Sequence, residues 1–189
     1  MKLKLPQLPE KLVPFKGVII FAIILMLSNY IWKFSITGDE ESTIITLFGW
    51  DISAPFTWMA HHVSTLATSI LLFLGFNVTV DQYNVLHHAN GNSVQIIWAC
   101  TGIKQMYICF CILAFARGDW RKKLWYVPLG ILAVYLFNVF RIVFIIGCVE
   151  QHPEWFHFLH MYAFKYMFYG VIFLMWVYWE EKIVGKTVA

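Results

Sequence analysis

Apolar residues fall in five long blocks, at about 16–34, 56–75, 98–116, 124–149 and 160–179, each bounded by polar or turn-forming residues. Several blocks reach the roughly 20 apolar residues that a helix needs to cross a bilayer, and the pattern predicts five helices. The second block differs from the others. Thr57, His61, Ser64, Thr65 and Thr68 recur there at helical spacing and lay a polar stripe along an otherwise apolar helix. Between the second and third blocks the period changes to 2. The stretch VTVDQYNVLHHANGNSVQIIW sets two alternating runs on either side of Asn90-Gly91, the strongest short-range signal for a hairpin. An open hairpin carries main-chain groups that hydrocarbon cannot satisfy, so it belongs in water or against protein. There is no internal repeat and no low-complexity linker. The chain therefore reads as one integral membrane domain over 1–189, with an extracytoplasmic amphipathic helix and hairpin at about 56–97 and the chemistry-bearing helices at about 98–179. The fold class is an all-α polytopic membrane protein with about four to five membrane helices and a small extracytoplasmic β-hairpin.

Composition agrees. Of 189 residues, 60% are apolar and 13% charged, whereas soluble domains run at about 45–50% and 25%, and one soluble core of this length could not bury so much apolar surface. The net charge of +3 is small, and the basic residues flank apolar blocks, which marks topology and not a nucleic-acid footprint. The four cysteines form no disulfide framework. Cys109, Cys111 and Cys148 lie inside apolar blocks and read as small buried hydrophobes, while Cys100 sits at the edge of one. No metal or cofactor is expected: His61-His62 and His87-His88 are adjacent pairs whose side chains diverge, without the i, i+4 spacing of a helical metal site.

The loop ARGDWRKKL carries Arg117, Arg121, Lys122 and Lys123, and the positive-inside rule assigns it to the cytoplasm. Lys2, Lys4, Lys11 and Lys16 assign the N-terminus to the same side, and Lys182 and Lys186 the C-terminal tail. The basic N-terminus lacks a small-residue cleavage site, so the first block reads as a retained helix. Helix one must then end outside and helix three begin outside, so the block between them does not cross. Four spans plus one outer or partly inserted helix satisfy this parity; a crossing second helix would put four lysines outside.

Arg141 is the most expensive residue in the chain. It sits in LFNVFRIVFIIG, and a charge at the bilayer centre costs about 2.5–3.5 kcal/mol on insertion scales, which makes it a functional candidate. Asn138 lies one turn earlier on the same face, where it could brace the guanidinium. Depth can be counted from the basic loop. Cys100 lies 17 residues before Arg117, and Arg141 lies 18 after Lys123, so both sit roughly 25–27 Å above that edge. His160 lies 20 residues before Glu180, roughly 30 Å up. A thiol attacks as thiolate, which nearby cations and helix N-termini favour. Cys100 in WACTGIKQM would sit near the start of helix three, with Gly102 permitting close approach. His160 would move the proton to the leaving amine. His157 is the alternative base, and Lys165 is expected to line the outer cavity.

These residues resemble the exosortase/archaeosortase family of membrane transpeptidases. The resemblance runs through WACTGIKQM, through NVFRIV at Asn138–Val143 and through FLHMYAFKYMFYGVIF around His160. It implies exported protein substrates with a tripartite C-terminal sorting signal: a short motif, a transmembrane helix and a basic tail. The signal is cut at the motif and the new end passed to a surface acceptor. By the same resemblance Cys100 is the nucleophile, Arg141 the stabiliser and His160 the acid/base, at the extracytoplasmic face of a prokaryotic cytoplasmic membrane. Longer members have further membrane helices, so the chain resembles a short form; AFKYMFYG is bulkier than the small-residue pattern of those members. Two other functions are open to the residues alone. A thiol–disulfide oxidoreductase would need an outer cysteine pair, and only Cys109-x-Cys111 is paired. A non-catalytic transporter subunit or assembly partner would use Arg141 as a structural cation.

Overall fold

The computed structural model describes residues 16–38 and 44–184. Lys2, Lys4, Lys11 and Lys186, on which part of the topology argument rests, lie outside the described residues. Helix α1 (Lys16–Ser35) is followed by strands β1 (Ile36–Thr37), β2 (Thr46–Leu47) and β3 (Trp50–Asp51), and by helix α2 (Ser53–Phe73). Strands β4 (Val78–Val80), β5 (Val85–His88) and β6 (Ser93–Gln95) come next. Helices α3 (Ile103–Phe115), α4 (Trp120–Gln151) and α5 (Pro153–Val184) complete the chain. Three helices, α1, α4 and α5, are long and apolar enough to cross a membrane. Helix α3 is apolar with 13 residues, roughly 20 Å, which alone falls short of the hydrocarbon thickness. The protein is a helical polytopic membrane protein, and the outer face of α4 shows why water cannot be its solvent. Leu124, Leu132, Leu136, Phe140 and Phe144 are all exposed along it, a continuous apolar stripe that only lipid or another apolar surface can cover.

At one end the bundle is pinned by the basic turn. Gly118 takes φ +116°, and a Cβ there would stand 2.9 Å from Val184. Asp119 caps α4 by accepting from the Arg121 N–H at 3.2 Å. Lys123 is buried rather than solvated, and its Nζ donates to the carbonyls of Ala114 (2.7 Å) and Ala116 at the end of α3. A cation on orphan carbonyls is the favourable pole of a helix C-terminus. Above this turn, Phe21, Ile108, Ile112, Val134, Phe168, Ile172 and Trp176 form the largest core cluster.

Helix α2 is not among the three long apolar helices. Val63, Ala67 and Leu71 pack with Ile142 and Ile146 in the second half of α4, together with Val78, Leu86 and Ile96 of the strand region. Its polar stripe is split: Ser64 and Thr68 are buried, whereas Thr57, His61 and Thr65 are exposed. The His61 ring and the Ser64 hydroxyl both reach Asn84 Oδ1, at 3.3 and 3.0 Å, in the β4–β5 connection.

The predicted hairpin is present but larger. Strands β4, β5 and β6 form a three-stranded antiparallel sheet in that order. The β5–β6 turn is a three-residue loop, not the two-residue Asn-Gly turn. The His88 N–H donates to the Asn92 carbonyl at 2.8 Å, and Gly91 alone takes positive φ, at +91°. Asn90 and Asn92 donate from their side chains to the Glu150 and Val149 carbonyls at the end of α4, so the loop caps a helix. In the β4–β5 turn the Val85 N–H, with that of Tyr83 and the His87 ring, holds the Asp81 carboxyl below its ordinary range. A second small sheet, β1–β2–β3, was not foreseen. Its Phe48-Gly49 turn has positive φ at both residues, as a type I′ turn requires, and nothing in FG resembles the usual Asn-Gly signature.

Candidate functional site

The segment before α3 departs from the predicted continuous helix at 98–116. Trp98–Cys100 form a single 3₁₀ turn, closed by the Cys100 N–H on Ile97 O at 2.9 Å. The Thr101 N–H and hydroxyl follow onto Trp98 O at 3.2 and 2.7 Å. Gly102 then adopts φ +80° at the N-cap of α3, and the first bond into the helix runs from Met106 N–H to Gly102 O. Cys100 therefore precedes the helix and does not sit in its first turn. The dipole at the α3 N-terminus falls off within a turn.

Asn138 does not brace the guanidinium. It is fully buried, and its Nδ2 donates to the Cys100 carbonyl at 3.0 Å. A Cβ at position 102 would lie 2.8 Å from Asn138 Cγ. The close approach that Gly102 permits is thus to Asn138, and the two residues together hold the cysteine turn against α4.

Arg141 is 7% exposed, and its Nη2 stands 3.3 Å from His160 Nδ1. A guanidinium only donates, so Nδ1 is the acceptor and the neutral ring carries its proton on Nε2. Phe168 lies under the guanidinium at 5.7 Å, and Phe156 stacks on the His160 ring at 5.2 Å. His160 lies in a π-helical turn, Leu159–Ala163, an irregularity that re-aims the side chains around it. Cys100, Arg141 and His160 line one cavity of about 30 Å³, closed by Ile142, Ile145 and Phe156. That is room for about two or three waters, since one occupies about 10–15 Å³ on this measure. Arg141 is within electrostatic reach of Cys100. The three residues matched in depth by counting along the chain are therefore neighbours.

The remaining candidates divide. His157 is exposed, meets Tyr162 edge-on at 5.9 Å and does not line the cavity. Lys165 lines a second cavity of about 200 Å³, which shares Arg141 and His160 with the first. Lys104 and Gln105 also line it and were missed by sequence reasoning, although a lysine in the first turn of the apolar α3 was a visible signal. Phe156, one helical turn before His160, gave none. Among the described residues, no three His, Cys, Asp or Glu side chains gather to hold a metal. His61 turns to Asn84 and His62 to the Tyr135 hydroxyl at 2.8 Å.

One wall of the thiol cavity is β6, through Val94, Gln95 and Ile96. This strand is the edge of its sheet. His88–Asn92 and Asn84–Ile96 are hydrogen-bonded pairs, so alternation turns the main-chain groups of Ser93 and Gln95 outward. An extended peptide could add there beside the thiol.

No curated protein and no solved structure matches the chain. Residues 43–178 match the family described as transmembrane exosortase. That match takes in α2, both sheets' later strands, the cysteine turn, Arg141 and His160, and over this span the chain belongs to the transmembrane exosortase family.

Proposed function

We propose that the protein is a membrane cysteine protease and transpeptidase that cuts a C-terminal sorting signal from exported proteins at the outer face of a prokaryotic cytoplasmic membrane. It passes the new C-terminus to a surface acceptor, with both of its own termini in the cytoplasm. One observation carries the reading: a thiol, a guanidinium and an imidazole from three separate segments line a single cavity. A structural intramembrane cation would be expected to pair with a carboxylate. Among the described residues the ion pairs are His87–Asp81 and His152–Glu154, and the side chain bonded to Arg141 is a histidine.

The donor inventory suggests an order of events. At rest, His160 Nδ1 accepts from Arg141. Transfer of the Cys100 thiol proton to Nδ1 makes the ring a donor there, and two donors cannot bond each other. The guanidinium is then released toward negative charge, first on the thiolate and then on the oxyanion formed when sulfur attacks the scissile carbonyl. Collapse breaks the C–N bond, His160 returns its proton to the leaving amine, and an acyl thioester remains. The acceptor's nucleophile, deprotonated by His160, attacks the thioester and regenerates the thiol.

The test is the ratio of full-length to cleaved tail-signalled substrate in membranes. Cys100→Ala and His160→Ala should leave it full-length, whereas His157→Ala should only slow cleavage. Normal processing in Cys100→Ala would remove the enzyme reading. Loss in His157→Ala with cleavage intact in His160→Ala would move the base one turn away.

A further inference from the structure

The second cavity is lined by cations from three helices: Lys104 of α3, Arg141 of α4 and Lys165 of α5. Lys33, at the end of α1, is within electrostatic reach of Lys104, as is Lys165. No Asp or Glu lines the cavity, and none of these cations belongs to either ion pair among the described residues. Arg141 is the buried member of this set, with Lys104 half-buried and Lys165 exposed, and burial makes an uncompensated cation costly. One buried donor on the wall, Arg141 Nε, has no hydrogen-bond partner. The lining is otherwise suited to a polar occupant, with the Tyr169 and Gln105 side chains beside the lysines.

We propose that this cavity is a binding site for a phosphate-bearing group, a phosphomonoester or pyrophosphate, carried by a membrane amphiphile or free in solution. The charge count selects phosphate over a carboxylate. A carboxylate cancels one of the three formal charges, whereas a phosphomonoester carries about 1.5–2 negative charges with three acceptor oxygens. Lysine supplies point charges to such a group and arginine a planar fork. Access is lateral: Ala99, Met161 and Lys165 are exposed on the rim. A phosphate here would share Arg141 and His160 with the cavity that Cys100 lines, next to the sulfur on which an acyl thioester would form. A part in the transfer rests on the proposed function; the binding itself does not.

The experiment reads binding without turnover, so it stands or falls apart from the role of Cys100. The full chain in an uncharged maltoside detergent is titrated with radiolabelled pyrophosphate. In a second arm it is reconstituted in phosphatidylcholine vesicles doped with labelled phosphatidic acid. Saturable binding in either arm is expected, weakened at least about tenfold in a Lys104→Gln/Lys165→Gln double variant and retained in Lys104→Arg/Lys165→Arg. Saturation with phosphatidic acid alone assigns the site to a headgroup, and with pyrophosphate alone to a free anion. Absence of saturable binding in both arms, or equal binding by the glutamine variant, overturns the proposal. Should that variant not fold, protection decides on the wild-type chain. The bound probe should shield Lys104 and Lys165, but not Lys122, from acetic anhydride, and unshielded labelling overturns the proposal.

Discussion

At Gly102 the absence of a side chain does two jobs. The φ of +80° lies where an L-residue loses roughly 1–2 kcal/mol, and a methyl group would overlap Asn138, whose amide fastens the Cys100 carbonyl. Gly102→Ala should therefore lower stability by at least about 1–2 kcal/mol and reduce cleavage further than that loss explains, because the cysteine turn shifts with Asn138. Thermal unfolding in detergent beside substrate cleavage measures both. Unchanged melting with unchanged cleavage would show that the turn tolerates a Cβ. The same pair of residues explains a difference from the sequence reading. Asn138 and Arg141 share a face of α4 as their spacing requires, yet the amide reaches the Cys100 carbonyl while the guanidinium reaches an imidazole.

Among the elements, α2 and α3 are the unusual ones. Helix α3 is short because the chain leaves helical geometry at Gly102, and the Cys100 turn precedes it. Helix α2 has 21 residues, long enough to cross, but His61 and Ser64 of its polar stripe bond to Asn84 and its apolar face packs on α4 and the β4–β6 sheet. A helix engaged in this way does not cross independently of the sheet. Reporters fused after Lys33 and after Gly75 should both register the outer side. Opposite sides would make α2 a span and return the N-terminus to the outside. In α5, the π-helical turn sets the direction of His160, and the Phe156 ring above it limits how the imidazole can move.

Across the whole molecule the cavity with the thiol lies between two packed regions. Below it is the cluster of α1, α3, α4 and α5, and beside it the cluster that joins α2 and the sheet to α4. Cys109 and Cys111 are buried in the bundle, whereas Cys100 and Cys148 are partly exposed. A membrane-impermeant maleimide applied to intact cells should therefore label a Cys148→Ser protein at Cys100. Labelling seen only after the cytoplasmic side is opened would invert the topology. Labelling should be slow, because a cavity of about 30 Å³ admits water but not the reagent until its mouth beside β6 moves.

Local physics accounts for the features that were legible without coordinates. Apolar block length fixes which segments enter a membrane, because unpaired main-chain groups and charges are costly there. That cost also singles out Arg141, and the 1.5 Å rise per residue brings Cys100, Arg141 and His160 to similar depth. Depth along three helices says nothing about azimuth, so contact between Arg141 and His160 depends on packing and on a π turn that no residue in LHMYA announces. The same limit applies to Asn138 and to the cation-lined cavity: each joins residues from distant segments, whose mutual orientation is chosen by the tertiary fold and not by any local pattern.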